Sequence, residues 1–144
     1  MEDPSNSKDN DYLLKIIEKY DFIESIIITD YEGSLMISAF KNGLEKTEDE
    51  KKNLRSVLSY YFNISLDQIS KTVKWNTKSV TSFFDNHVIY QRALNKVALC
   101  HIICNENEYC HIIAEKVADE LCKKFEPIES KLIDIKKEIE ADNE

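Results

Sequence analysis

Asp30 and Gly33 follow an apolar strand, in a spacing that could serve phosphate chemistry. A D-x-x-G element at this place is typical of the phosphate-sensing loop of GTP-binding proteins. Such a protein also needs a glycine-rich phosphate loop with Lys and Ser or Thr after its first strand. This chain has only two glycines, Gly33 and Gly43, and cannot build that loop. We therefore predict that Asp30 to Gly33 form a tight turn between two strands, without nucleotide hydrolysis.

Cysteine and histidine side chains form a second group that could bind a metal: Cys100, His101, Cys104, Cys110 and His111. Zinc ligands usually occur in pairs with two to four residues between them, which Cys100 and Cys104 satisfy. On a strand, however, these two thiols point to one face with Ile102 between them, and His101 points to the other. Free cysteine also packs as a small hydrophobe. The sequence therefore predicts no metal site, and it shows no cofactor site.

Nucleophilic catalysis would require a cysteine next to a histidine base. Cys110 and His111 are adjacent, and adjacent residues on a helix do not face each other. His87 could pair with any cysteine, but no catalytic signature surrounds one. We predict no catalytic residues and a protein that is not an enzyme. If the protein instead accelerates GTP hydrolysis by a small GTPase, its arginine finger must be Arg55 or Arg92, the chain's only arginines.

Bulk composition limits the possible partners. With 144 residues, 42 % of them apolar, the chain fits one globular domain. Its net charge of -8 disfavours nucleic acid and anionic membrane surfaces. The longest apolar runs fall short of the roughly 20 residues that span a bilayer. The N-terminus resembles no secretory signal, so we expect reduced thiols, a cytosolic location and no direct membrane insertion.

The apolar periodicity of the first half predicts a helix, two strands and a second helix. Residues 1–9 are predicted to be a disordered tail, and Asn10 or Asp11 to cap the first helix. Residues 23–29 are nearly continuously apolar and predict a central strand, with a second strand at 35–39. A capping box, Thr47 to Glu50, starts the second helix. We expect that helix to end near residue 62 and an extended stretch to cover 64–75.

The second half predicts three strands and a helix. Strands at 79–84 and 87–93 are joined by a two-residue turn, and 97–104 is another central strand. The third helix is expected to open at Glu108. The predicted fold is α+β, in the order α-β-β-α-β-β-β-α, with a five-stranded, mostly antiparallel sheet and helices on both faces. The domain is expected to cover residues 10–126.

Residues 127–144 are predicted to be an amphipathic helical extension. Its apolar stripe repeats at intervals of four, three and four residues: Ile128, Leu132, Ile135 and Ile139. This stripe could dock on its own domain or bind another chain.

Strand 79–84 is predicted to lie at a sheet edge. Val80 to Phe84 carry no charge and no proline, which is the composition of an edge that a partner strand can join. The alternative is that the stretch 64–75 covers this edge.

Three stretches in this order resemble the roadblock/dynein light-chain superfamily: FIESIIITDYEGSLMI (22–37), NTKSVTSFFDNHVIYQRA (76–93) and ALCHIICNENEYCHIIAEKVADELCKKFEPI (98–128). Within it the chain is most similar to the MEK-partner scaffold subunits of Ragulator, the late endosomal/lysosomal adaptor and MAPK and mTOR activator complex. The resemblance spans about residues 12–130.

The resemblance implies pairing with a second roadblock-domain subunit through the edge strand and the second helix. The corresponding interface residues here are Leu54, Leu58, Tyr61, Val80, Thr81, Ser82, Phe83 and Phe84. The implied function is that of an adaptor at the cytoplasmic face of late endosomes and lysosomes. A lipidated subunit would anchor it there, and it would support Rag GTPases in mTOR signalling, with MEK and ERK kinases as further partners. The alternatives are a homodimeric dynein light chain and a small-GTPase regulator.

Overall fold

Helices and strands alternate along the chain in the predicted order. The computed structural model describes residues 4–34 and 36–125. The elements are α1 (Pro4–Lys19), β1 (Ile23–Asp30), β2 (Met36–Phe40), α2 (Glu48–Val73), β3 (Ser79–Phe83), β4 (His87–Ala93), β5 (Ala98–Asn105) and α3 (His111–Lys124). None of the helices in this part of the chain is long and apolar enough to cross a bilayer.

The five strands form one antiparallel sheet in the order β2-β1-β5-β4-β3. The two nearly continuous apolar runs, β1 and β5, pair with each other at its centre, as predicted. Both strands are buried along most of their length because helices cover both faces of the sheet. The shorter strands β2 and β3 form the two edges, which confirms the predicted edge position of β3.

Alternate side chains of the central strands pack against different helices. Ile26 and Ile28 belong to the main core, to which α1 and α3 contribute apolar residues. Ile27, between them, packs with Phe40 and Leu58 in a smaller cluster under α2. We call these two sides of the sheet the α1/α3 face and the α2 face. The predicted arrangement of helices on both faces is therefore confirmed.

Three helix boundaries differ from the prediction. Helix α1 begins at Pro4, so residues 4–9, predicted as part of a disordered tail, are helical. Proline is favourable in a first helical turn, where its missing N–H costs nothing. Helix α2 continues to Val73, through most of the stretch predicted as extended, because no Gly or Pro interrupts it. Helix α3 begins at His111, after a short 3-10 helix that includes Glu108.

Two predicted local motifs are confirmed. The capping box at the start of α2 is complete: Thr47 Oγ1 accepts a hydrogen bond from the Glu50 N–H, and Glu50 accepts one from the Thr47 N–H. Between β3 and β4, the Phe84 N–H donates to the His87 carbonyl at 2.8 Å, which closes the two-residue turn. The predicted extension 127–144 lies outside the described residues, and its role stays a prediction.

The D-x-x-G element is a turn, as predicted. The Gly33 N–H donates to the Asp30 carbonyl at 3.2 Å, and the Asp30 carboxylate accepts the Ser34 N–H and hydroxyl at 2.8 and 2.7 Å. Gly33 has a φ of +73°, and a Cβ atom there would lie 2.9 Å from the Arg55 carbonyl oxygen on α2. Glycine is therefore required both by the backbone and by the close approach of the turn to the helix.

We expect Gly33→Ala to destabilise the protein more than Gly43→Ala. Gly43 also has a positive φ, +89°, but an added Cβ atom meets nothing within 4 Å. Both substitutions place alanine in the left-handed region, at about 1–2 kcal/mol. Gly33→Ala adds the overlap with α2, for a further loss of about 1–3 kcal/mol. Urea denaturation measures both variants, and equal losses would contradict the close packing at Gly33.

Candidate partner interface

The edge strand β3 pairs with β4 on one side and has no strand on its other side within the described residues. Its backbone N–H and C=O groups on that side can therefore accept a partner strand. The register assigns its side chains to the two faces. Val80 and Ser82 lie opposite Gln91 and Ile89, on the α2 face, and Phe83 lies opposite Val88, on the α1/α3 face.

The sequence could not decide which of these alternate sets faces a partner together with α2. By the register, Val80 and Ser82 share the α2 face, whereas Thr81 and Phe83 share the α1/α3 face. The Phe83 ring contacts Tyr109 edge-to-face, at 6.1 Å between ring centroids, and 69 % of Phe83 is still exposed. Phe84, in the turn, is also exposed.

Of the three interface residues predicted on α2, only Tyr61 has an exposed side chain. Leu54 is half-buried and packs against the cluster under the helix. Leu58 was predicted at an exposed interface position, and this is wrong: it is only 3 % exposed and packs on Ile27 and Phe40. Leu58 and Tyr61 lie on neighbouring turns, but about 60° apart around the axis, at 3.6 residues per turn.

An apolar surface next to Tyr61 was not recognised from the sequence as a single feature. It consists of exposed residues at helical spacing, which we call the exposed flank: Val57, Tyr60, Tyr61 and Ile64. Ser59 and Asn63 lie on the other side of α2, where they contact Thr29 and the Tyr31 carbonyl. Tyr61 is therefore directed away from the β1–β2 turn, toward the half of the sheet that ends in β3, whereas Val57, Tyr60 and Ile64 are directed mainly outward from the sheet. The signal was the spacing of Val57, Tyr61 and Ile64, but the predicted end of the helix near residue 62 separated Ile64 from the other two.

A chain of buried hydrogen bonds fixes α2 on the sheet. The Gln91 side-chain amide donates to the Leu58 carbonyl at 2.7 Å and contacts His101 Nδ1 at 3.0 Å. His101 Nε2 lies 2.8 Å from Thr29 Oγ1, which lies 3.1 Å from Ser59 Oγ on α2. Because an amide nitrogen only donates, we assign Nδ1 as the acceptor and Nε2 as the protonated nitrogen that donates to Thr29.

The surroundings of His101 favour its neutral ring at neutral pH. Its ring is fully buried, and burial lowers its pKa from 6.5 to about 3. His101 faces α2 while Cys100 and Cys104 belong to the core on the other face, as the strand alternation predicted. The ring thus acts as a neutral link that holds the helix bearing the exposed flank.

The other reactive side chains are held in structural positions. Burial raises the pKa of the Cys100 thiol, and it raises that of Cys104 to about 12, so both are protonated hydrophobes. Arg92 forms an ion pair with Asp119 at 2.7 Å on the α1/α3 face. Arg55 is half-buried on α2. Within residues 4–34 and 36–125, no cluster of three or more His, Cys, Asp or Glu residues could hold a metal ion.

Comparison with known proteins agrees with this geometry. The model of the family described as "mitogen-activated protein kinase kinase 1 interacting" matches residues 8–132. A comparison with curated sequences finds no match. Among solved structures, the chain is similar to a Roadblock/LC7 domain from Streptomyces avermitilis, with a TM-score of 0.71 and 9 % identity over 83 % of this chain and 95 % of that one.

Two further structures show how widely the fold occurs. Myxococcus xanthus MglB has a TM-score of 0.67 and 16 % identity, over 88 % of this chain and 93 % of that one. Profilin from Schizosaccharomyces pombe has a TM-score of 0.54 and 13 % identity, over 83 % of this chain and 97 % of that one. At such low identities these likenesses establish the roadblock fold and carry no function by themselves.

We expect His101 to make the stability of the protein depend on pH. Because its folded pKa is about 3, against 6.5 unfolded, its contribution is complete above pH 6.5 and is lost as the pH falls toward 3. Between pH 7.5 and 5.0 this loss amounts to about 2 kcal/mol. His101→Gln removes the titrating group, so the variant should lose correspondingly less stability over that interval.

Urea denaturation at both pH values and a fixed protein concentration measures the difference. His87→Gln is the matched control, because the His87 side chain is 48 % exposed and lies outside the buried network. This control should keep the contribution of His101. A pH dependence of His101→Gln equal to that of the wild type would show that the ring is not held neutral.

Proposed function

Since this chain belongs to the mitogen-activated protein kinase kinase 1 interacting family, a group of small adaptor-type proteins with the roadblock fold, we propose that it is a non-catalytic adaptor subunit. It pairs with a second roadblock-domain chain through α2 and the edge strand β3. The observation that carries this proposal is the coincidence, on one side of the fold, of the exposed flank of α2 and the outer edge of β3, which pairs with no strand among residues 4–34 and 36–125.

Pairing would cover the edge of β3 and the exposed flank of α2 at the same time. A partner strand beside β3 would complete its backbone hydrogen bonds and extend the sheet across the two chains. The exposed flank would then lie against the partner's helix, where its aromatic residues Tyr60 and Tyr61 would serve as anchors, since tyrosine is enriched at the centres of interfaces. A stable pair of this kind is expected to bury roughly 1,600 Å² in total.

The predicted interface residues fall into groups according to the face of β3 on which they lie and their burial on α2. Leu54, Tyr61, Val80 and Ser82 stay candidates for contact with the partner on the α2 side, and Phe84 stays a candidate just after β3, whereas Leu58 supports the helix from beneath. Thr81 and Phe83, on the opposite face of β3, would contact a partner only around the strand edge.

The larger assembly is proposed from the family resemblance. In it the pair is held at the cytoplasmic face of late endosomes and lysosomes by a lipidated subunit, and it supports Rag GTPases in mTOR signalling. MEK and ERK kinases are the partners in MAPK signalling. In this assembly any nucleotide is bound by the GTPase, and the D-x-x-G turn of this chain serves only to seat α2.

We expect Tyr61→Glu combined with Ile64→Glu to abolish pairing without unfolding the chain. Both side chains are exposed, 55 % and 40 %, so charges there cost little in the isolated domain. At an interface the two buried carboxylates should weaken affinity by at least about 100-fold. Affinity purification of the tagged full-length chain from cells, with mass spectrometry, would identify the roadblock-domain partner, and light scattering of the reconstituted pair would measure its loss.

Ile112→Glu is the matched control. Ile112 is 78 % exposed on α3, on the opposite face of the sheet, and its substitution should leave pairing intact. A homodimer of the wild type would favour the dynein-type alternative. The proposal fails if the wild type stays monomeric and recovers no roadblock-domain chain, or if the control and the flank variant lose the partner equally.

A further inference from the structure

Helix α2 extends well past one end of the sheet. That end carries the β1–β2 turn and the β4–β5 turn, which are linked by a hydrogen bond from the Tyr31 hydroxyl to the Asn95 carbonyl at 3.1 Å. Asn63 marks where α2 passes it, because its side chain donates to the Tyr31 carbonyl at 2.7 Å. The helix continues to Val73, about 15 Å further at 1.5 Å per residue. We call residues 64–73 the distal segment of α2.

The distal segment continues the stripe with which α2 packs on the sheet. From the fully buried Phe62, this stripe proceeds at intervals of four, three and four residues through Leu66, Ile69 and Val73, which we call the distal stripe. Ile69 and Val73 are 43 % and 42 % exposed, because none of the five strands in the described part of the chain lies beneath them. The distal stripe is directed toward the layer of the sheet, well around the helix axis from the exposed flank.

The chain leaves the described domain at this same end. Asp30 pairs with Ala98, and Arg92 pairs with Cys100, so these residues all lie near the Tyr31–Asn95 link. The ion pair of Arg92 with Asp119 places the C-terminal half of α3 there as well. Residues 126–144 therefore begin beside the end past which α2 projects, on the opposite side of the sheet.

A short segment of chain can span the distance from the end of α3 to the layer of the sheet. Packed layers lie about 10 Å apart, so the layer of the sheet is about 10 Å from the axis of α3, and that of α2 about 10 Å further. Residues 126–128 can span about 10 Å when extended. Ile128 can thus reach the layer of the sheet, which is where the distal stripe is directed.

The remaining sequence matches the distal stripe in spacing and in charge. Ile128, Leu132, Ile135 and Ile139 repeat the intervals of four, three and four residues found in α2. Residues 126–144 contain seven acidic and three lysine residues. Residues 66–73 contain one aspartate and one lysine, which pair with each other, and Lys74 and Lys78 follow the end of α2. Two such helices can pack their apolar stripes together, with the acidic segment close to the lysines that follow α2.

We propose that residues 128–139 form a helix that docks within the same chain on the distal stripe of α2. This helix occupies the layer of the sheet beyond the Tyr31–Asn95 link, and it covers Leu66, Ile69 and Val73. It leaves the exposed flank and β3 free, so the inference stands independently of the proposed pairing.

Hydrogen–deuterium exchange of the full-length chain tests this docking. Leu132→Asp combined with Ile135→Asp should raise the exchange rate of the amides at 66–73 by about tenfold or more, because the distal segment loses its cover. Ile133→Asp is the control: it adds one aspartate next to the stripe, where it replaces an apolar residue outside it, and should leave exchange as in the wild type. Substitution of Ile69 and Val73 by Asp should reciprocally raise exchange at 128–139.

The dependence of exchange on protein concentration distinguishes docking within one chain from binding of a second copy to the distal stripe. If the helix docks within one chain, the amides at 66–73 should keep the same protection from exchange when the protein is diluted about 100-fold. They should also keep it in the Tyr61→Glu, Ile64→Glu variant, which cannot pair. Protection that disappears on dilution would assign the stripe to a second copy and overturn the proposal. Equal exchange at 66–73 in the wild type and in the Leu132→Asp, Ile135→Asp variant would also overturn it.

Discussion

Helix α2 rests on the sheet through a small apolar cluster, so its position depends on the polar and backbone contacts around that cluster. Only Leu58, Ser59 and Phe62 are buried among its residues. The link through Gln91, His101 and Thr29 joins three strands to the middle of the helix, and it is satisfied at each step. These directional hydrogen bonds fix the rotation of α2 about its own axis and its position along the sheet. Apolar packing of a few side chains could not do this alone.

The surfaces available to partners follow from that single placement. With Leu58 directed at the sheet, helix geometry turns Tyr61 and Ile64 outward on the side of β3. With Asn63 at the β1–β2 turn, the remainder of the helix must project beyond the sheet. A rotation of α2 by one residue would bury the exposed flank and break the contact of Gln91 with the Leu58 carbonyl. The buried network therefore determines which apolar residues serve the domain and which stay available for binding.

The sequence predicted the sheet well because the apolar patterns that indicate strands lie within short stretches of the chain. The nearly continuous runs of β1 and β5 required cover on both faces, and both strands lie at the centre. The prediction failed at the end of α2, where Leu66, Ile69 and Val73 continue the apolar stripe but Ile64 and Trp75 fall outside it, so the helical pattern is weaker. The network was not predictable either, since Thr29 and His101 are 72 residues apart and look like polar interruptions in two separate strands. Leu58 and Tyr61 were grouped together because an amphipathic stripe does not say whether its own sheet or another chain will cover it.

The D-x-x-G turn shows how the same residues can serve unrelated purposes. In a phosphate site, glycine makes room for an anion beside the backbone. Here the space at Gly33 is occupied by a carbonyl of α2, 2.9 Å from where a Cβ atom would be, and the Asp30 carboxylate is engaged by Ser34. A phosphate would meet a carbonyl oxygen at this position, and two groups of negative charge density repel each other. The geometry that seats α2 is therefore the same geometry that excludes a nucleotide from the turn.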